Sequence, residues 1–364
     1  MGNQEAGVFH AGDAAAAPAT AERIAVVGYG NQGRAQALNL RDSGCTVVVG
    51  NRDDAYRKRA RQDGFQVRRI EAAVAESTVV LMLIPDEILA GVYREQIAPN
   101  LQQDAMVVFA SGYAVAFGGL EIGTQADVAL LAPRMIGAGV RERYRTGEGF
   151  FCMVGVHHDA SARAWERLLS LTLAVSRLTK PAIRVTFKQE AILDLFNEQA
   201  FGPAFGQVLM NATKVLLERG LPPEAVLVEM YMSEEMSYVY RTMARVGLID
   251  QVELHSQTSQ YGAITRGVRF LDPSLKHKMR RIYEEIESGA FSREWQRPPA
   301  RLKLRILRFF ARRQPLGAVE RTVREKLGMP VHRIEEESPD EIREALERED
   351  VQEELRGFEE FLKE

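Results

Sequence analysis

A doubly wound parallel α/β sheet followed by an all-helical second domain is the fold class this sequence predicts, on three observations. Short apolar runs alternate with helical patterns from Arg23 to Val185. The first of those runs opens into a glycine-rich turn and a helix. From Phe187 strand signals stop, and a 3.6-residue apolar period continues to about Leu327. Strand alternating with helix is the pattern of a parallel sheet with helices on both faces.

Composition sets the bounds. The chain has 364 residues, 46% of them hydrophobic, enough for two domains with real cores. With 47 basic against 50 acidic residues the net charge is -3, so no basic field argues for nucleic acid, and a small-molecule ligand is expected. The two cysteines, Cys45 and Cys152, lie in apolar runs without metal-ligand spacing; they read as packing residues of a protein kept in a reducing cytoplasm. No apolar run approaches the roughly 20 residues that span a bilayer, so no membrane is expected. Residues 1–20, rich in Ala and Gly, read as a disordered leader.

In chain order, Arg23 to Val27 is a strand, and it runs into Gly28-Tyr29-Gly30-Asn31-Gln32-Gly33 and a helix from Arg34 to Ser43. In such a GxGxxG turn the first glycine makes the bend, the second admits a pyrophosphate, and the third lets helix pack on strand. The second strand, Thr46 to Gly50, ends at Asn51-Arg52-Asp53-Asp54. An acid there bonds the adenine ribose. The series strand, loop, helix, strand, acid is that of a Rossmann-type dinucleotide domain. Further strands are expected at Thr78 to Ile84, Ala105 to Ala110, Val128 to Ala132, Phe150 to Val156 and Ile183 to Val185. Their ends carry Pro85-Asp86-Glu87, Ser111-Gly112-Tyr113 and Pro133-Arg134, which should line a cofactor crevice.

Lys180-Pro181 marks the crossover, giving a dinucleotide domain over 21–185 and a helical domain over 186–330. The helical domain opens with Asp194 and Glu198, four apart and so on one helix face, with Glu190 one turn earlier. Flanks such as Ile192, Leu193, Phe196 and Phe201 leave little polar face, and no basic residue is nearby in sequence. Unpaired carboxylates so placed repel, and oxygen ligands suit a hard ion such as Mg2+; the alternative is a solvated helix face. A second acidic helix, Pro223 to Thr242, carries Glu229, Glu234 and Glu235. The basic stretch Arg297 to Arg313 reads as a solvated face or an oligomer contact. Residues 331–364 read as an acidic helix starting at Ser338-Pro339-Asp340-Glu341.

These pieces together resemble the ketol-acid reductoisomerase family, in its shorter form, from about Ala21 to Arg297. Its glycine loop GYGxQG is met by Gly28 to Gly33, its PDE turn by Pro85 to Glu87, and its DLFxEQ helix by Asp194 to Gln199. Its S-x-T-x-x-YG loop and following TRG are met by Ser256 to Gly262 and Thr265 to Gly267. The resemblance implies a knotted-type helical domain, a homodimer or larger homo-oligomer, and an oxo or ketol acid as substrate. It implies two Mg2+ ions, with Asp194 bridging them, Glu198 and Glu229 as further ligands, and Ser256 holding substrate. NADH, with NADPH possible, would lie on Gly28 to Gly33, Arg52, Asp53, Asp54, Pro85 and Gly137. Asp194, Glu198, Ser111 and Arg134 would carry the chemistry.

Departures from the family pattern bear on the reaction. Ser111 stands where the family has histidine near the nicotinamide, Arg134 where it has lysine, and Ala138 where it has a second histidine. Ser233 replaces the second glutamate of the later helix, so that either the register shifts to the adjacent Glu234 or Glu235 or the second metal is weakened. Ile192 replaces a glutamate two residues before Asp194. Three functions stay open: reductoisomerisation of a 2-hydroxy-2-alkyl-3-oxo acid, reduction of a related oxo acid or imine without alkyl migration, and an inactive nucleotide-binding oligomeric partner. A β-hydroxyacid dehydrogenase would want a catalytic lysine in the helical domain and fits the acidic pair less well.

Overall fold

The computed structural model describes residues 7–15, 17–123 and 125–330, and the acidic helix expected at the C-terminus lies outside them. The chain divides into two compact units, Met1–Asp194 and Leu195–Glu364.

The described residues of the first unit form nine strands: β1 (Val8–Phe9), β2 (Arg23–Val27), β3 (Thr46–Gly50), β4 (Gln66–Arg68), β5 (Val79–Met82), β6 (Met106–Phe109), β7 (Asp127–Pro133), β8 (Cys152–His158) and β9 (Ala182–Arg184). Their order across the sheet is β1-β9-β8-β7-β6-β5-β2-β3-β4. From β4 through β7 the strands are parallel, and the order reverses between β2 and β5, which opens a crevice above their carboxyl ends. Side chains alternate between two cores. Ile24 and Val26 pack into one and Ala25 and Val27 into the other, which is why buried parallel strands read as unbroken apolar runs.

The sheet is mixed where a purely parallel one was expected. Pro133 pairs with Cys152 because the helix Gly137–Thr146 returns the chain to the end of the sheet it left, so β8 runs antiparallel to β7. The N-terminal segment also differs from the expected disordered leader. Val8–Phe9 pairs antiparallel with β9, Phe9 packs on Trp165 at 5.5 Å between ring centroids, and Ala17–Ala21 is helical. At the amino ends of the strands the buried Arg167 guanidinium bonds Glu22 at 2.6 Å and Asp127 at 2.7 Å. Buried charges persist when paired in this way.

The break between units falls after Asp194, nine residues beyond the expected boundary at 185. The first turns of helix Phe187–Phe196 belong to the sheet, since Phe187 is buried edge-on against Phe109 at 6.0 Å. Both cysteines are buried and unpaired; burial pushes the Cys45 thiol up to about 11 and that of Cys152 up to about 12, so neither is a ready nucleophile.

The second unit is helical throughout its described residues. The acidic helix expected over Pro223 to Thr242 is interrupted: Pro223–Leu227 passes into a π turn, Val228–Met232, and a new helix, Glu235–Val246, follows Glu234 in the left-handed region at φ 61°. Two helices, Glu235–Val246 and Gln257–Gly267, bury no residue of their own. No helix among the described residues is long and apolar enough to cross a membrane.

Candidate functional site

The glycine loop has the close approaches its motif requires. Gly28 takes φ 93°, and a Cβ there would lie 2.4 Å from the Leu83 carbonyl oxygen. A Cβ on Gly33 would lie 2.1 Å from the carbonyl oxygen of Gly28, so helix Asn31–Asp42 meets its strand only through glycine. Above this turn is a cleft of ≈ 930 Å³, lined by Gly28, Tyr29, Gly30, Arg52, Asp53, Asp54 and Pro85 among others. Of the residues expected at the cofactor, Asn31, Gln32, Gly33 and Gly137 do not line it. Gln32 instead donates to the Met135 carbonyl at 2.9 Å, and Gly137 packs where a Cβ would meet the Asn31 carbonyl oxygen at 2.3 Å. These contacts fix the loop against the turn that follows β7.

Tyr29 lines the cleft, but its ring is buried in the core, edge-on to Phe65, and its hydroxyl donates to Asp63 at 2.9 Å. Burial, then the hydrogen bond to the Asp63 carboxylate, raises its pKa far above that of an ordinary phenol. The acids beyond β3 divide their work. Asp54 caps helix Ala55–Gln62 through the Arg57 amide at 3.1 Å and pairs with Arg52 at 2.9 Å, whereas Asp53 is exposed.

The sequence reading missed the arginines of this cleft. Arg57, Arg61 and Arg69 join Arg52 in its lining, against Asp53, Asp54 and Glu71. A signal was available: Arg57 and Arg61 are four apart, on one face of the helix that follows the acids.

A second cluster forms at the carboxyl ends of β6 and β7. Gly112, in the turn after β6, donates its amide to Glu190 Oε2 at 2.6 Å, and a Cβ on it would lie 2.0 Å from the Phe187 carbonyl oxygen. Arg134, after β7, donates Nη1 to Glu190 Oε1 at 2.9 Å and Nη2 to Asp194 Oδ1 at 2.5 Å. One planar fork thus spans two carboxylates a helical turn apart. The Glu190 side chain is 1% exposed and that of Asp194 34%. Burial, opposed by the Gly112 amide and by Arg134, raises the Glu190 pKa to about 7. The expectation that no cation neutralises this acidic helix is therefore corrected: Arg134 reaches it from the sheet, 60 residues away in sequence. Ser111 Oγ lies beside the cluster in sequence and accepts the Tyr113 amide at 3.2 Å.

The remaining expected residues lie in the second unit. Glu198 is in the π turn Asn197–Phe201, and Glu229 is exposed in the π turn Val228–Met232. Ser256 caps helix Gln257–Gly267, accepting the Ser259 amide at 3.3 Å. Among the described residues no group of three or more His, Cys, Asp or Glu side chains is gathered to hold a metal ion. Asp194 has oxygen donors suited to a hard cation, but the cation on it is a guanidinium.

The sheet, its switch point and the cleft above it define a dinucleotide-binding domain of the Rossmann type. Residues 19–179 match the model of the acetohydroxy acid isomeroreductase NADPH-binding domain, and residues 187–328 that of the ketol-acid reductoisomerase C-terminal domain. The chain belongs to the ketol-acid reductoisomerase family. It is 37% identical over 287 residues to putative ketol-acid reductoisomerase 3 of Saccharolobus solfataricus, covering 78% of this chain and 86% of the relative. It is 36% identical over 327 residues to ketol-acid reductoisomerase (NADP(+)) of Pyrobaculum calidifontis, covering 89% and 99%. An NADH-preferring ketol-acid reductoisomerase from an uncultured archaeon superposes with a TM-score of 0.82 at 30% identity, covering 88% of this chain and 98% of that one.

Proposed function

We propose that this enzyme reduces a ketol or oxo acid of the 2-hydroxy-2-alkyl-3-oxo type with a nicotinamide cofactor, assisted by Mg2+, in a homodimer or larger homo-oligomer. The observation that carries the reading is the Arg134, Glu190 and Asp194 cluster at the carboxyl ends of β6 and β7, the end of the sheet where the dinucleotide cleft opens. A guanidinium there bonds a substrate carboxylate or alkoxide as readily as a side-chain carboxylate. Buried Glu190 holds the turn after β6 to the acidic helix, so Ser111 and Arg134 keep fixed positions. Asp194, Glu198 and Glu229 are the residues that would hold Mg2+, and the ion would supply Lewis-acid polarisation of the substrate carbonyl. Ser256 holds the substrate through its hydroxyl.

Oligomerisation is supported by apolar side chains that the chain leaves uncovered. On and around the two helices that bury nothing, Tyr261 is 68% exposed, Phe270 78% and Ile249 81%. Large apolar side chains exposed in this number favour an interface. A reduction without alkyl migration is the second reading, favoured by serine at 111.

The test is to incubate the purified protein with Mg2+, 2-acetolactate and either NADH or NADPH, following cofactor oxidation and the carbon skeleton of the product. Oxidation with neither cofactor, on acetolactate or on its pre-isomerised 3-hydroxy-2-oxo acid, sinks the proposal. The cleft sets four arginines against three acids, and Arg52 already neutralises Asp54. Exposed Asp53 at the end of β3 still favours a free ribose hydroxyl over a 2′-phosphate, and on that ground we expect NADH to be preferred or the two cofactors to be used about equally. A preference for NADPH of more than about tenfold, about 1.4 kcal/mol, would show that Arg57 and Arg61 outweigh Asp53.

A further inference from the structure

We propose that Arg134 is the resident counter-ion of Asp194, and that a divalent ion gains Asp194 only by displacing it. This chain should therefore bind such ions more weakly than its own lysine variant. The inference rests on the metal reading above and adds a residue that regulates that site. Arg134 reaches both carboxylates at once because its two terminal nitrogens lie in one plane, each aimed at a different acid, at 2.9 Å and 2.5 Å. A guanidinium keeps its charge at every pH a protein survives, so proton loss does not release Asp194. It is also fastened at the other side. Glu190, to which Nη1 is bonded, is buried and takes the Gly112 amide on its second oxygen, so the arginine cannot follow Asp194 outward without withdrawing its hydrogen bond from Oε1 of a buried acid.

A divalent ion approaching Asp194 thus meets a carboxylate already neutralised and a fixed positive charge within hydrogen-bond distance of its oxygen. Lysine at the same position changes this balance. An ammonium is a single compact charge on a flexible stem, so it cannot span both acids as the planar fork does, and it can move off the 34% exposed Asp194. With lysine, Asp194 is left to the ion.

The experiment titrates the full chain, stripped of metal and without cofactor or substrate, with Mn2+ followed by calorimetry and by the loss of its free-ion resonance. Arg134→Lys is expected to bind Mn2+ at least tenfold more tightly than the wild type. Arg134→Gln should bind more tightly too, and adding Asp194→Asn to either variant should abolish the gain. A role for Arg134 confined to holding the fold predicts the reverse, a weaker site in both variants. Circular dichroism of each variant separates a lost fold from a changed affinity, with Arg134→Lys the more conservative of the two. Equal Mn2+ affinity in the wild type and Arg134→Lys overturns the proposal while leaving the metal reading intact. No binding in any variant overturns both.

Discussion

Between about pH 5 and about pH 8 the wild-type chain is expected to lose roughly 2 to 3 kcal/mol of folding stability that the Glu190→Gln variant keeps. Glu190 starts from an ordinary carboxyl pKa of 4.5 in the unfolded chain and stands at about 7 in the folded one. Between those values the folded chain holds a proton that the unfolded chain has released. Stability therefore falls as pH rises through this window and is level above it. Burial is the largest cause; the Gly112 amide and Arg134 oppose it, and the charge on Asp194 adds to it. Glutamine keeps a carbonyl for the Gly112 amide and has no proton to lose. Urea unfolding of both proteins in chelator at the two pH values checks this. Parallel losses in wild type and variant would show that Glu190 titrates as an ordinary carboxyl.

How much of this was legible in the sequence depends on the range of the forces involved. Arg23–Val27 and Thr46–Gly50 appear with the expected boundaries because an apolar run, a glycine turn and an acid are local signals. The three residues of β4, Gln66–Arg68, carry no such signal, and they are a strand only because β3 offers them an edge. The direction of β8 is equally silent, since an apolar run reads the same up or down. At the site the sequence marks both Asp194 and Arg134, but one as a metal ligand and the other as a departure from a family lysine. Their pairing is a tertiary contact set by the packing of Phe187 on Phe109, which no periodicity reports.

Whether the chain isomerises as well as reduces is expected to turn on Ser111. Alkyl migration needs a proton removed from the tertiary hydroxyl of the substrate and another returned, whereas reduction of a ready-made 2-oxo acid needs a hydride and one proton. A serine hydroxyl cannot hold a proton reversibly near neutral pH, and here its oxygen already accepts the Tyr113 amide at 3.2 Å, which fixes the turn. Glu190, bonded to the amide of the neighbouring Gly112 and with its pKa raised to about 7, is buried and committed to Gly112 and Arg134. Reduction of the pre-isomerised 3-hydroxy-2-oxo acid is therefore expected to outrun overall conversion of acetolactate by about 10²- to 10⁴-fold, the usual worth of a positioned acid-base group. Ser111→His should narrow that gap by raising the acetolactate rate alone. The competing candidate is His255, whose ring lies 3.1 Å from the Gln251 side chain and which precedes Ser256. If Ser111→His leaves the acetolactate rate unchanged while His255→Ala abolishes it, the acid-base group has moved to the helical unit and the isomerase step survives without a histidine at 111.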